Sequence, residues 1–328
     1  MKDLQAILGR ICSDSPGGVL ATLVAVEGSS YRRPGARMWV EPDLRIGSLS
    51  GGCLEEDLVE RARTVAATGR AELVVYDTRS DDDVLWGVGL GCHGVVRILL
   101  ERVSRRPAWA ATAADALKAG KTAFLDVAWQ GPAETLGTRL ADPADDDSRD
   151  SVFRDTILPP AALAIFGAGD DARPLARFAL ELGWRVTVAD PRAAFLTEAR
   201  FPGTAALVLG PAKELAARSF LPRGSLAVVM THHYRHDRPL LRELLPLPLA
   251  YLGLLGPRAR TERILADLAS EGLALTPTML ARLHAPAGLD LGAEAPEGVA
   301  LSIIAEMTAV LAGHSGLPLR ERTKPIHA

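Results

Sequence analysis

The sequence predicts an α/β chain in two parts, an N-terminal mixed α+β domain followed by a doubly wound parallel sheet. Three observations carry that reading. Upstream of residue 104, short β-prone runs follow one another with little helix between them, which is the antiparallel habit. Downstream of Pro159-Pro160, apolar strands alternate with segments of helical period, the texture of βαβ units. The chain has 328 residues, 48% of them hydrophobic, which suits two cores at about 150 residues per domain.

The elements follow in order. Met1 to Arg10 is a short amphipathic start. Val19 to Glu27 is an apolar β run ending at Gly28, and Arg37 to Glu41 and Leu44 to Leu49 are two strands around a Pro42-Asp43 turn. From Cys53 the period changes: Leu54, Leu58, Ala62 and Val65 share a helix face, Glu55, Glu56 and Asp57 fill the first turn, and Gly69 ends the helix. Leu73 to Tyr76 and Val95 to Glu101 add strands, which closes an N-terminal domain at 1–104. Residues 105–160 read as a connecting segment, with an Ala-rich helix, a strand near Ala123 to Trp129 and a solvated acidic loop from Asp142 to Asp150. In the C-terminal domain, 161–328, strands are expected at Ala161 to Phe166, Arg185 to Asp190, Ala205 to Leu209, Ser225 to Met230 and Leu249 to Leu254. Gly298 to Ala312 is a final helix, apolar over most of its circumference. Such a surface points to packing against a domain or another copy of the chain, and so to a homodimer.

Composition removes several classes. A formal charge of −3 gives no global drive toward nucleic acid or an anionic membrane. No signal-type apolar core follows the N-terminus and no apolar run reaches the ~18 residues of a membrane span, so a cytoplasmic location is expected. The three cysteines, Cys12, Cys53 and Cys92, are an odd number without CxxC spacing, which indicates neither a disulfide framework nor a structural zinc site.

Leu163-Ala-Ile-Phe-Gly-Ala-Gly-Asp-Asp-Ala172 places Gly167-x-Gly169-x-x-Ala172 between a strand and a helix, and Asp190 closes the next strand. That is the context of a Rossmann-type dinucleotide site: a tight turn, close approach of backbone to pyrophosphate, a small residue for helix packing and a carboxylate for ribose hydroxyls. Asp170 and Asp171 work against it. Two carboxylates suit a helix N-terminus but repel a pyrophosphate there unless a cation or Arg intervenes, which predicts weak or absent NAD(P) binding. The fourth strand of this sheet runs into Thr231-His-His-Tyr-Arg-His-Asp237, whose His232, His233, His236 and Asp237 are expected at the switch-point crevice. Metal ligation, ligand contact and loop packing are all open to them. Arg258 or Arg260, after the fifth strand, can supply a cation.

Cys53 follows Gly51-Gly52 at a helix entrance, where backbone amides can cradle an anion and the dipole favours a thiolate; Glu55, Glu56 and Asp57 oppose that shift. Cys92 sits between Gly91 and His93 in a run that lets a ligand approach closely. Cys12 has no such setting and reads as packing. Gly28-Ser-Ser-Tyr-Arg-Arg-Pro-Gly-Ala-Arg37 offers hydroxyls and the guanidinia of Arg32, Arg33 and Arg37 around a Pro-Gly turn, either as an anion site or as solvated charge.

These runs, with Gly47-Ser-Leu-Ser-Gly-Gly-Cys-Leu-Glu55, Tyr76-Asp-Thr78, Gly89-Leu-Gly-Cys-His-Gly94, the GAG turn and Thr231-His-His, resemble in order the XdhC/CoxI family of xanthine dehydrogenase accessory proteins over nearly the whole chain. The resemblance implies a cytoplasmic accessory factor, a chaperone rather than a catalyst, that binds molybdenum cofactor (molybdopterin). Such a factor supports sulfuration of the cofactor with a cysteine desulfurase and delivers it to a client molybdenum hydroxylase of the xanthine dehydrogenase type. The family's glycine-cysteine motifs fall on Gly51, Gly52 and Cys53 and on Gly91 and Cys92, which makes the two thiols candidate ligands to molybdenum through that cofactor. This chain departs from the family at His93, where another glycine is common, and at Asp170-Asp171, where a His and an apolar residue are common. An NAD(P)-dependent oxidoreductase is the alternative, with nucleotide on Gly167, Gly169 and Asp190 and a His of the 232–236 loop as acid/base. Such an enzyme has no evident use for two Gly-Cys motifs, which favours the accessory reading.

Overall fold

A computed structural model describes residues 2–13, 17–77, 79, 94–144 and 150–323. Gly91 and Cys92, with His93, lie outside the described residues. The chain forms two compact units, Met1–Pro159 and Pro160–Ala328.

The first unit contains α1 (Lys2–Cys12), β1 (Gly18–Gly28), β2 (Arg37–Glu41), β3 (Leu44–Gly47), α2 (Glu55–Thr68), β4 (Glu72–Asp77) and β5 (Gly94–Val103), then α3 (Ala108–Lys118), β6 (Ala123–Ala128), β7 (Gly137–Leu140) and β8 (Val152–Ile157). Strands β3-β2-β1-β5-β4 make an antiparallel sheet, and β7-β6-β8 a second, smaller one. The long strand β1 is apolar on both faces because both are covered. Val19, Ala21 and Leu23 pack with Leu58, Ala62 and Val65 of α2, while Leu20 packs with Trp39, Ile7 and Ile11, and with Leu125 and Ile157 of the smaller sheet. Alternation along the strand, period two, sends neighbouring residues to these two cores.

This packing changes the role expected of residues 105–160. They are not a connector between domains: α3 and the small sheet share a core with α1 and β2, and the first unit runs to Pro159. The apolar face of β6 needs a partner, and it finds one in the core it shares with the first sheet. Between the two sheets lies a polar layer. Arg37 donates through Nη1 to Asp155 Oδ2 at 2.6 Å, and the buried Glu101 accepts from Thr138 N–H at 2.9 Å. Burial pushes the Glu101 carboxyl upward, against the pull of Thr138 and of the Arg37 charge.

The second unit contains β9 (Ala162–Phe166), α4 (Ala172–Glu181), β10 (Arg185–Asp190), β11 (Ala206–Leu209), α5 (Ala212–Arg218), β12 (Leu226–Val229), α6 (Tyr234–Leu244), β13 (Tyr251–Leu254), α7 (Arg258–Ser270), α8 (Pro277–Ala281), β14 (Leu283–His284) and α9 (Pro296–Ala312). The sheet is parallel throughout, ordered β11-β10-β9-β12-β13-β14, so the chain reverses its direction of travel between β9 and β12. That is the doubly wound order with its switch point where the turn at Gly167 leaves the sheet. Helices α4 and α9 cover one face, and α5, α6 and α7 cover the other.

Gly167 is required by the switch point itself. Its φ is +117°, and a Cβ there would stand 2.6 Å from the Met230 carbonyl oxygen, which is backbone and cannot turn aside. Gly169 has neither constraint, since nothing lies within 4 Å of the position its Cβ would take. Gly167→Ala is therefore expected to cost about 2–4 kcal/mol, and Gly169→Ala under about 1 kcal/mol. Urea unfolding of the two variants measures the contrast; equal losses would contradict it.

Candidate functional site

Cys53 is exposed at the last bend before α2, and its thiol lines a cleft with Ser29, Ser30, Tyr31, Ser50 and Leu54, floored by apolar side chains that include Val96 and Ile98 of β5. The loop that presents it is wound around one carboxylate. Glu55 Oε1 accepts from the Ser48 hydroxyl at 2.8 Å, Leu49 N–H at 3.0 Å and Ser50 N–H at 2.9 Å. Glu55 Oε2 accepts from the Ser50 hydroxyl, from Gly52 N–H at 2.9 Å and from Leu54 N–H at 3.2 Å. The curl needs left-handed backbone at two successive residues, which Gly51 and Gly52 supply with φ of +80° and +121°.

The sequence leads one to expect free amides here to cradle an anion, with Glu55 as charge opposing a thiolate. The amides are present, and Glu55 already fills them. Partial burial pushes its carboxyl up, but the donors of Ser50, Ser48 and Leu49 outweigh that and hold it down at about 2. The signal in the sequence was the pair Ser48 and Ser50 ahead of an acid at the first helical position. Helix α2 is fixed in turn: the Tyr76 hydroxyl donates to Asp57 Oδ2 at 2.5 Å, and Arg61 donates to the same carboxylate at 2.7 Å.

The arginines of the neighbouring loop separate. Arg37 is buried and bound to Asp155 and to the Gly35 carbonyl, so it belongs to the layer between the sheets. Arg33 is exposed, and its carbonyl accepts from Ala36 N–H at 3.1 Å to close the Pro34-Gly35 turn. Arg32 lies 5.8 Å from the Tyr31 ring centre, and the Tyr31 ring itself packs on Gly51. Tyr31, which sequence reasoning passed over, thus joins Cys53 at the cleft. Cys12 packs at the edge of the core, as its setting suggested.

In the second unit the motifs meet at the carboxyl edge of the sheet. Asp170 is paired with Arg200 at 3.0 Å and Asp171 with His232 Nε2 at 2.9 Å. The condition attached to pyrophosphate repulsion, an intervening cation, is met at Asp170 by a residue far along the chain. His232 holds its place in the left-handed region, φ +58°, rare for a residue with a side chain. His233 caps α6, its Nδ1 accepting from Arg235 N–H at 3.3 Å, and its ring centre lies 4.9 Å from that of His236. Asp237 is buried, accepts from the Thr231 hydroxyl at 2.5 Å and faces Arg260 at 3.7 Å; burial pushes its carboxyl upward. Arg260 in turn folds back onto the Leu255 carbonyl, and Arg258 is exposed. Asp190 accepts from Ala168 N–H at 2.7 Å, tying the glycine turn to the end of β10. Among the described residues no three His, Cys, Asp or Glu side chains converge as a metal site, so the metal reading of the histidine loop gives way to pairing and capping.

Residues 14–77 match the XdhC and CoxI family, and residues 163–307 match the XdhC Rossmann domain. A Bacillus subtilis protein, named as a probable xanthine dehydrogenase subunit, is 35% identical over 332 residues, 94% of this chain and 97% of that relative. The chain belongs to the XdhC and CoxI family. A Bacillus halodurans protein whose crystal structure is described as a xanthine dehydrogenase superposes with a TM-score of 0.81 at 32% identity, over 98% of this chain and 99% of that one. The Escherichia coli protein YqeB is 34% identical over 148 residues, 45% of this chain but 27% of YqeB. Among the described residues no helix is long and apolar enough to cross a membrane.

The Glu55 network sets a pH test. The folded carboxyl is held near 2, below its ordinary 4.5, so its contribution to stability is complete above about pH 4.5 and is lost as the pH falls toward 2. Glu55→Gln is expected to be less stable than the parent at pH 7, with the gap closing as the pH falls through that window. Urea midpoints at pH 7 and pH 3 measure it, and a gap independent of pH would show that the charge is not what the loop holds.

Proposed function

We propose that this protein is an accessory factor for a molybdenum hydroxylase of the xanthine dehydrogenase type, binding molybdenum cofactor at the Cys53 cleft. In this reading it supports the cofactor's sulfuration, with a cysteine desulfurase as the sulfur source, and hands it to the client enzyme in the cytoplasm. The observation that carries the proposal is the exposed Cys53 thiol, presented by a loop locked on Glu55 beside an exposed aromatic ring. The residues suit the group. A thiolate is a soft ligand for a metal centre, and the Tyr31 ring with the apolar floor can take the face of a flat heterocycle. When bound, the cofactor supplies the molybdenum centre; the chain contributes an exposed thiol at the edge of an apolar cleft. Cys92 is proposed as the second thiol on the strength of the family motif. The names of the relatives from Bacillus supply the client class.

The C-terminal unit is proposed to bind a nucleotide at Gly167, Gly169 and the end of β10, with His232 and His233 lining the crevice. The open space at Gly169 is the feature that admits a phosphate. The unit is also proposed to carry the dimer contact. Helix α9 leaves Leu301 52% exposed while Ala300, Ile303 and Met307 of the same helix fill the core.

Two outcomes test this reading. Cys53→Ala is expected to lower cofactor retained through purification, and client activation, by about tenfold or more, with an unchanged melting curve; Cys12→Ala should be silent. Cofactor content equal to the parent in Cys53→Ala would remove that thiol from the site. Sedimentation at micromolar concentration should give a dimer that Leu301→Glu converts to monomer, and a parent that sediments as a monomer would refute the dimer.

A further inference from the structure

In a sheet ordered this way a dinucleotide laid across the switch point puts its adenosine ribose at the carboxyl end of β10, where a carboxylate ordinarily accepts from the ribose hydroxyls. Asp190 stands at that place, and its acceptor capacity is used up. Oδ1 accepts from the backbone N–H of Arg192 at 2.8 Å and from its Nε at 2.9 Å. Oδ2 accepts from Ala168 N–H at 2.7 Å and from Arg192 Nη2 at 2.9 Å. An ionised carboxylate has about four lone-pair sites, and these bonds occupy them in a side chain only 1% exposed. A free ribose diol would find no acceptor.

What the strand end offers in its place is a cation. The Arg192 side chain is 47% exposed, one edge held by Asp190 and its Cζ 4.0 Å from the centre of the Phe195 ring. A guanidinium fixed at one edge and against a ring has lost its freedom before any ligand arrives, and its remaining nitrogen, Nη1, carries donors suited to phosphate oxygens. Arg200 adds positive charge beside it, 5.2 Å from the same ring, while answering Asp170.

We propose that the C-terminal unit recognises an adenine dinucleotide whose ribose carries a 2′-phosphate, the NADP class, with Arg192 as the phosphate ligand, and that it disfavours the free-diol NAD class. This rests on the nucleotide reading above. It makes Asp190 the residue that aims Arg192, and Arg192 the specificity determinant.

The test is calorimetric titration of the full chain with NADP+, NAD+ and 2′,5′-ADP. NADP+ is expected to bind about tenfold tighter than NAD+ or better, with an affinity that falls as salt rises, and 2′,5′-ADP should compete with it. Arg192→Ala should bring NADP+ down to the level of NAD+ and, by releasing the Asp190 carboxylate, raise the affinity for NAD+. A purely structural part for Arg192 would weaken both ligands together, and would overturn the assignment. Arg192→Lys, which keeps the charge, should retain part of the preference and guards against misfolding of the alanine variant. NAD+ binding as tightly as NADP+ to the parent chain would refute the 2′-phosphate proposal and leave the nucleotide reading standing. No heat and no competition from any of the three at millimolar concentration would overturn both.

Discussion

A carboxylate drawn out of water must recover its hydrogen bonds from the protein, and in the N-terminal unit Glu55 recovers them from the loop that precedes it. Six donors from Ser48, Leu49, Ser50, Gly52 and Leu54 turn inward to meet it. That single requirement gives the loop its curl, demands glycine at two successive positions and points Cys53 outward. Without Glu55 the amides of Leu49, Ser50 and Gly52 would lose this acceptor, and of the four only Leu54 N–H would keep a partner among these bonds, the Ser50 hydroxyl. The chemistry proposed for Cys53 therefore depends on a residue that does not line the cleft.

The C-terminal unit uses the same device at the end of β10. Asp190 gathers the amide of Ala168 and three donors of Arg192, so one carboxylate links the glycine turn, the strand end and a guanidinium. Around it the turn's other acids are each answered, Asp170 by Arg200 and Asp171 by His232. The Arg200 charge beside Asp170 lowers the local field that two unpaired aspartates would set up at a helix N-terminus, while Asp171 is held by a hydrogen-bonding contact with the His232 ring. At Asp170 the crevice is consequently less hostile to a phosphate than its sequence reads.

The first unit also shows why a segment of ordinary composition can be indispensable. Residues 105–160 supply the face that covers Leu20 and Trp39 and the carboxylate that receives Arg37. An arginine that reads as a ligand for anions is instead held inside, where withdrawing Asp155 would leave a buried charge without a partner.

Much of this was legible in the residues. Period-two and helical patterning located β1, β5, α2 and the five longer strands of the parallel sheet, because those signals come from which face of an element must be buried, and that is a local property of the chain. The GAG turn and the Thr231-His-His run likewise indicated the switch point, since β12 must lie beside β9 in this winding order. Partner choice was another matter. That Arg37 belongs to Asp155, Arg200 to Asp170 and His232 to Asp171 depends on contacts between residues 30 or more apart in sequence, which no local pattern encodes. The donors that fill Glu55 lie within 7 residues of it and those of Asp190 within 22, yet which way their amides turn is settled only once the elements flanking each loop are in place. The sequence by itself determined the elements, the winding and the pair of glycines beside a thiol; only the tertiary structure decided which charged groups are spent inside the fold and which side chains, like those of Arg192 and Cys53, keep an exposed part.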